Sequence, residues 1–281
     1  MPPCCDLHTH SVFSDGTFTP GEILQSALEL NLSAVALCDH NTVEGLPHFQ
    51  KAAAGTGIEA VCGAEFSVDY RGRELHLLGL FLPPDSFAQV SDLMRSVNEA
   101  KERSNIALVE SLNRAGFPLD YAAIKAKSPS GKINRAHIGA ELTRLGYTQS
   151  VSHAFETLLS KRTGHYVEPK RISFFEMIDF IRQIHAVPVL AHPFLNLSAN
   201  ELAELLPIAK RRGLVGMECL YSTFSRREMD VALFLAAQNR LLPSGGSDFH
   251  GANKPDIRLG VGHGNLRVPA QWAKSLKKAA R

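Results

Sequence analysis

Between Phe174 and Gly245 the chain reads FFEMIDFIRQIH (174–185), VPVLA (187–191), ANELAELLPIAKRR (199–212), LVGMECL (214–220), SRREMDVALFLAAQN (225–239) and LLPSG (241–245). Short apolar runs of strand length follow longer stretches with helical spacing. That alternation specifies βαβ units and a parallel sheet. The same rhythm occupies the first eighty residues. Cys4 to Leu7, Ser33 to Cys38, Ile58 to Gly63 and Glu74 to Leu82 read as strands, the last after the turn-like Arg71-Gly72-Arg73. A helix opens at Thr19-Pro20-Gly21-Glu22, where Thr19 caps, Pro20 suits the first turn and Glu22 closes a capping box. Another spans Val43 to Ala54. About seven strands predict an α/β fold closed, or nearly closed, into a barrel, with its active site at the C-terminal ends of the strands.

From about Asp85 to Arg162 the rhythm changes. Ser86 to Ala115, Tyr121 to Lys127, Arg135 to Leu145 and Val151 to Ser160 read as helices, with no strand between them. The expected division is residues 1–85 for the first part of the barrel, 86–166 for an all-helical insertion (cap) domain, and 167–281 for the second part of the barrel.

Composition sets limits. A chain of 281 residues with 44% hydrophobic and 21% charged residues is that of an ordinary globular protein. No run approaches the roughly 20 apolar residues that span a bilayer, and the N-terminal MPPCCD is not a signal peptide. A cytoplasmic protein without membrane partners is expected. Cys4, Cys5, Cys38, Cys62 and Cys219 lie in or beside apolar runs without CxxC spacing, which predicts buried, reduced thiols. A net charge of +2 argues against binding long duplex nucleic acid. Lys210-Arg211-Arg212 and the basic stretch Lys274 to Arg281 read as solvated helix faces.

The chemistry is concentrated at the strand ends. Asp6-Leu7-His8-Thr9-His10 follows the first strand and Asp15 lies on the next loop. Asp39-His40-Asn41 ends the second strand, Glu65 follows the third and His76 sits in the fourth. His192-Pro193 ends a later strand, and Ser247-Asp248-Phe249-His250 follows the last. Residues i and i+2 at a strand end point the same way, so His8 and His10 can share a cation, as can Asp248 and His250. One strand-end histidine is ordinarily just a satisfied polar residue. Nine such residues on the common rim of a barrel converge by construction, and they are too many for one ion. Imidazole and carboxylate without thiolate suit Mn, Fe or Zn. Two or three divalent ions are therefore expected, with Glu65 as the candidate bridge. Clusters of this kind activate water and stabilise in-line displacement at phosphorus. Phe249, between two ligands, is expected to point into packing, and Asp39 to orient a ligand from behind it.

The segments DLHTHS with SDG, ALCDHNT, GAEFS, AHP and GSDFHG resemble, in order, the motifs of the PHP (polymerase and histidinol phosphatase) family, most closely its TrpH, ribonuclease AM-like subfamily. The resemblance covers the barrel on both sides of the insertion. It implies a distorted (β/α)7 barrel with a trinuclear site, usually manganese, and a helical insertion. By motif, His8, His10, Glu65 and Asp248 would hold one ion, Asp15, His40 and His250 a second, and Glu65, His76 and His192 a third. Asn134-Arg135-Ala136-His137-Ile138 resembles a family segment that faces the metals. Arg135 is accordingly a candidate for gripping a substrate phosphate through its planar fork, and His137 for doing the same or protonating a leaving oxygen. Lys170, Arg171 and Arg258 are further candidate phosphate contacts. Relatives often carry Gly/Ala-Tyr-Val-Pro after the insertion, whereas this chain has an extra residue before the proline in Gly164-His165-Tyr166-Val167-Glu168-Pro169.

The implied function is a metal-dependent phosphoesterase acting on a small nucleotide, a 3′,5′-bisphosphonucleotide, or the 5′ end of a short oligonucleotide. Other readings are a small phosphomonoesterase such as histidinol-phosphate phosphatase, a metal-dependent amidohydrolase, and a PHP module that binds metal without catalysis. Glu65 stands where amidohydrolases carry a modified lysine, and no ligand of the family pattern is missing.

Overall fold

The computed structural model describes residues 2–128, 131 and 133–280; Arg281, which ends the C-terminal basic stretch, lies outside them. Its principal strands are β1 (Cys4–Thr9), β2 (Ala34–Leu37), β3 (Glu59–Tyr70), β4 (Arg73–Leu80), β6 (Val187–Leu190), β7 (Gly216–Tyr221) and β8 (Leu242–Gly246). Two short strands add to the sheet: β5 (Ile172–Ser173) beside β3, and β9 (Val268–Pro269) antiparallel to β1. The spatial order is β8-β7-β6-β4-β3-β2-β1. The ends of this series meet, because Asp248 N donates to His8 O at 2.8 Å and His10 N donates to Phe249 O at 2.9 Å. The sheet is thus a nearly closed barrel.

It is not wholly parallel, as the alternation alone predicts. β4 runs antiparallel to both β3 and β6. The reversal is local: Arg71 and Gly72 both have positive φ, 54° and 75°, and connect paired Tyr70 and Arg73 as a two-residue hairpin. The β3–β4 hairpin extends past the third strand's expected end at Gly63. Glu65 therefore lies within β3 rather than after it.

Strand alternation sorts the apolar side chains into two sets. Ala34, Ala36, Cys38, Val61, Leu78, Leu80, Val187 and Val189 form one cluster with Ala273 and Leu276 of α10 (Ala270–Lys278). Val35, Leu37, Cys62, Ala64, Phe66, Leu75, Leu77, Met217 and Cys219 face the surrounding helices. These are the inner and outer faces of a sheet buried on both sides. α1 (Pro20–Glu29), α2 (Leu46–Ala53), α7 (Phe174–Gln183), α8 (Ala199–Arg211) and α9 (Arg226–Gln238) cover the outside. The capping box read at Thr19–Glu22 is present at α1, and Ser173, Ser198 and Ser225 provide the same device for α7, α8 and α9.

The intervening segment contains α3 (Phe87–Arg114), α4 (Tyr121–Lys127), α5 (Arg135–Arg144) and α6 (Val151–Ala154), which widens into a π-helical turn at Phe155–Leu159. α3 belongs to two cores. Val90, Met94 and Val97 pack with the barrel, whereas Leu108, Val109 and Leu112 pack with Ile124, Ile138, Leu142 and Leu159 in a separate cluster. Among the described residues no helix is long and apolar enough to cross a membrane. All five thiols are free; Cys4 is half-buried and the other four are buried.

Candidate metal centre

The barrel rim brings all nine predicted ligands together. A shift of register in β1 between Asp6 and Thr9 leaves Leu7 in the inner apolar set and turns its neighbour His8 onto Glu218 of β7. His8 Nε2 and His10 Nε2 stand 3.0 Å apart, each 3.3 Å from Glu65 Oε2. Asp248 Oδ1 is 3.1 Å from His10 Nε2 and 3.7 Å from His8 Nε2. Asp15 reaches His250 at 3.2 Å and His40 at 3.8 Å. Across the hairpin, Ser67 pairs with His76, so His76 and Glu65 share a face as diagonal neighbours. Glu65 Oε1 accepts from His76 Nδ1 at 2.7 Å and lies 2.8 Å from His192 Nε2.

Three groups have donor atoms within 4.8 Å of one another: His8, His10 and Glu65; His10, Asp15, His40 and His250; and His40, Glu65 and His76. The first two overlap the ligand sets implied by family resemblance, with His10 entering both. In the third, His40 stands beside Glu65 and His76, and His192 touches Glu65 from the other side. The residues fit a cation cluster on their own geometry. Glu65 Oε2, His10 Nδ1, His40 Nδ1 and His192 Nδ1 are buried without a hydrogen bond of acceptable geometry. Such atoms converging in a protein interior are costly unless a cation or water satisfies them.

Electrostatics follow from this packing. Burial alone would raise the carboxylates, but the surrounding imidazoles hold Asp15 and Glu65 well below the usual range. Lys254 and His250 do the same for Asp248. Burial opposes charging of His10 and His76, yet the neighbouring carboxylates push them up to about 9 and about 10. His8 is likewise driven well above 6.5, with Glu218 the strongest attraction. His40 goes the other way, to about 3, because burial outweighs its carboxylate neighbours. His192 and Asp248 adopt positive φ, 25° and 57°. Such backbone is strained for residues other than glycine and persists only where the surroundings enforce it.

Several supporting residues escape a reading of the sequence. Tyr221 OH donates to Asp248 Oδ2, and Lys254 Nζ reaches the same oxygen, each at 2.6 Å. Glu218 contacts His8 Nδ1 at 3.1 Å and accepts from His192 N at 2.7 Å. Asp6 accepts from Ser247 N and Oγ and from Gly260 N, pinning the seam between β1 and β8. Asp39 acts on the candidate ligands from behind them. It accepts from Ser11 N, Ser11 Oγ and Ser14 Oγ, each at 2.7 Å, and so fixes the loop that carries Asp15. Phe249 packs edge-on against Phe18, as expected.

Two cavities, about 360 and 320 Å³, flank the cluster, and His40, Asn41, Lys101 and Asn134 border both. Arg135 lines the second. Its guanidinium lies 4.1 Å over Tyr166 and 5.3 Å from Phe155, donates to Leu159 O and stands 3.6 Å from Glu74. Arg171 lines the same cavity and pairs with Glu74 at 2.7 Å. Lys170 and Arg258 are not among the residues lining either cavity. His137 lines the first, where its Nδ1 accepts from Asn134 N at 3.1 Å and burial lowers its pKa. Asn134 Nδ2 in turn donates to Asp15 at 2.7 Å, tying α5 to the candidate ligands. Lys101, on α3, was not singled out from the sequence because one lysine in a charged helix carries no signal. Burial lowers its pKa, and Asp15 and Glu74 oppose that effect.

A family model described as the PHP domain matches residues 6–185. Among curated proteins, the chain is similar to a 5′-3′ exoribonuclease of Haemophilus influenzae, 29% identical over 246 residues, 87% of this chain and 89% of that protein. It is also similar to phosphoribosyl 1,2-cyclic phosphate 1,2-diphosphodiesterase of Eggerthella lenta, 29% identical over 94% of this chain and 99% of that one. A 3′,5′-nucleoside bisphosphate phosphatase of Chromobacterium violaceum is 29% identical over 87% of this chain and 86% of that one. A solved structure described as a metal-dependent phosphoesterase of Bifidobacterium adolescentis aligns with 99% of this chain and 98% of its own, with a TM-score of 0.86 and 27% identity.

Proposed function

The chain belongs to the PHP-domain family and is a metal-dependent phosphoesterase; from that premise, we propose that its substrates are nucleotide phosphate esters, either 3′,5′-bisphosphonucleotides or the 5′ ends of short oligonucleotides. One observation carries this reading: three cations, Lys101, Arg135 and Arg171, line a cavity that also reaches Asp15, His40 and His76. A single phosphate held by the cluster would not need them. A second phosphate of the same substrate would. The exoribonuclease and bisphosphate phosphatase among its relatives act, by their names, on substrates that offer one.

We assign His8, His10, Asp15, His40, Glu65, His76, His192, Asp248 and His250 as ligands of two or three divalent ions; the nitrogen and oxygen donors suit Mn, Fe or Zn, and manganese is the ion that the family resemblance implies. Bound there, such ions supply Lewis acidity toward phosphoryl oxygens and lower the pKa of water. Glu65 has an oxygen toward each side of the cluster and would be the residue shared between ions bound there. Arg135, with its guanidinium over the Tyr166 ring, is assigned to grip a phosphate through its fork. His137 lines the first cavity with its charged form disfavoured by burial, and we assign it as a neutral group that contacts a phosphate or leaving oxygen. Residues 86–166 act as the cap that shapes both cavities. The five free thiols suit a reducing cytoplasm.

The test is phosphate release from a 3′,5′-bisphosphonucleotide by manganese-loaded protein, beside the double variant Asp248→Ala, His250→Ala. Release by the wild type that is lost in the variant supports the assignment. Release of equal rate from a 3′-monophosphate would remove the role given to the second phosphate. No release from either substrate or from a 5′-phosphorylated oligonucleotide would overturn the nucleotide reading.

A further inference from the structure

We propose that Glu218 is the positioning residue of the metal centre, a single carboxylate that sets two ligands on opposite sides of Glu65; the inference rests on the metal-site reading above. Glu218 lies on the inner face of β7 and is fully buried. Its Oε1 is 3.1 Å from His8 Nδ1 and its Oε2 accepts from His192 N at 2.7 Å. An ionised carboxylate only accepts, so once His8 has lost a proton, as a metal ligand must, the ring proton it keeps sits on Nδ1. That leaves the lone pair of His8 on Nε2, the atom facing His10 Nε2, Glu65 Oε2 and Asp248 Oδ1.

The second bond acts on the backbone. His192 has φ 25° and ψ 58° and precedes Pro193, a conformation that non-glycine residues rarely take and that a following proline disfavours further. The bond from His192 N to Glu218 ties down this turn, whose imidazole Nε2 lies 2.8 Å from Glu65 Oε1. β7 thus contributes no ligand of its own, yet fixes the tautomer of one ligand and the backbone of another. A buried carboxylate that merely neutralised His8 would need only the first of these contacts.

Glu218→Gln separates the two roles with almost no change of volume. A glutamine has one accepting oxygen and one donating amide nitrogen. It must therefore turn the nitrogen toward either His8 Nδ1 or His192 N–H, and one ligand loses its support. Zinc titration of metal-free protein should show the variant binding roughly 10- to 100-fold more weakly, while circular dichroism shows it folded. Glu218→Asp, which restores the two acceptors on a shorter arm, should recover part of that loss. Equal zinc affinity in folded Glu218→Gln and wild type would overturn the proposal. If the variant does not fold, long-range 1H–15N spectra of zinc-loaded wild type decide. His8 protonated on Nδ1 supports the assignment, and His8 protonated on Nε2 overturns it. Failure of the wild type to bind zinc at all would instead overturn the metal-site reading, and this inference with it.

Discussion

Lys101 and Arg135 face the same cavity, yet their surroundings commit them differently. Arg135 is braced by Tyr166, Phe155 and the Leu159 carbonyl, so its fork is oriented before any ligand arrives. Lys101 sits among Asp15, Glu74, Arg135 and Arg171, with burial opposing its charge. Arg135→Lys keeps the charge but loses the fork. Charged hydrogen bonds are worth about 1.5–3 kcal/mol, so KM for a bisphosphonucleotide should rise about 10- to 100-fold with kcat nearly unchanged. Lys101→Met keeps the aliphatic volume and removes a cation that costs free energy to bury. It should raise KM similarly while leaving the melting temperature unchanged or higher. A fall in melting temperature with unaltered KM would show that Lys101 serves the fold. At this scale the sequence was informative only where residues fell at strand ends. The convergence of the nine candidate ligands was legible because a barrel sends every such end to one rim. Glu218 and Lys254 were not, since Glu218 sits inside an apolar run and Lys254 in a loop. Each gains meaning only from partners that the closed barrel brings to it.

Elements were legible where local chemistry decides them. The capping residues and apolar periods place the helices of both barrel parts, and helix-period patterns between 86 and 160 mark the segment above the rim. The direction of β4 was not, because alternation reports burial and not polarity of the chain; the positive φ of Arg71 and Gly72 turns it back. His76 still reaches the centre since the hairpin projects past the rim. Barrel closure depends on a contact that no spacing encodes. A Cβ on Gly246 would fall on the His8 backbone and Cβ, so β8 can approach β1 only with glycine there. Gly246→Ala should therefore destabilise by about 1–3 kcal/mol or more and weaken zinc binding by displacing His8. Gly21, in the first turn of α1, has open space around it. Gly21→Ala should stabilise by up to about 1 kcal/mol. Urea midpoints for the two variants should move in opposite directions; a midpoint for Gly246→Ala that does not fall would refute the closing role given to Gly246.

For the whole molecule, the rim couples folding, protons and metal. His8, His10 and His76 have folded-state pKa values raised above the usual 6.5. In metal-free protein they contribute stability that is complete below about pH 6.5 and lost as pH rises, toward about 9 for His10 and about 10 for His76. His40, lowered to about 3, has the opposite sign: its contribution is complete above about pH 6.5 and declines as pH falls. Asp15, Glu65 and Asp248 are depressed, so theirs is also lost on acidification, below about pH 4. Metal-free protein should accordingly be most stable near pH 6. Cations displace protons from His8, His10 and His76, so binding strengthens as pH rises through the range where the metal-free form weakens. At an ion concentration about 100 times Kd, loading adds about 2.7 kcal/mol, or about 5–10 °C of melting temperature for a chain of this size. The gap in melting temperature between manganese-loaded and EDTA-treated protein should thus widen from pH 6 to pH 9. Binding enthalpy at pH 7.5 should also vary with the ionisation enthalpy of the buffer, as proton release requires. A gap that stays constant across that range, with no buffer dependence, would mean that the raised histidines are not the groups that take the metal.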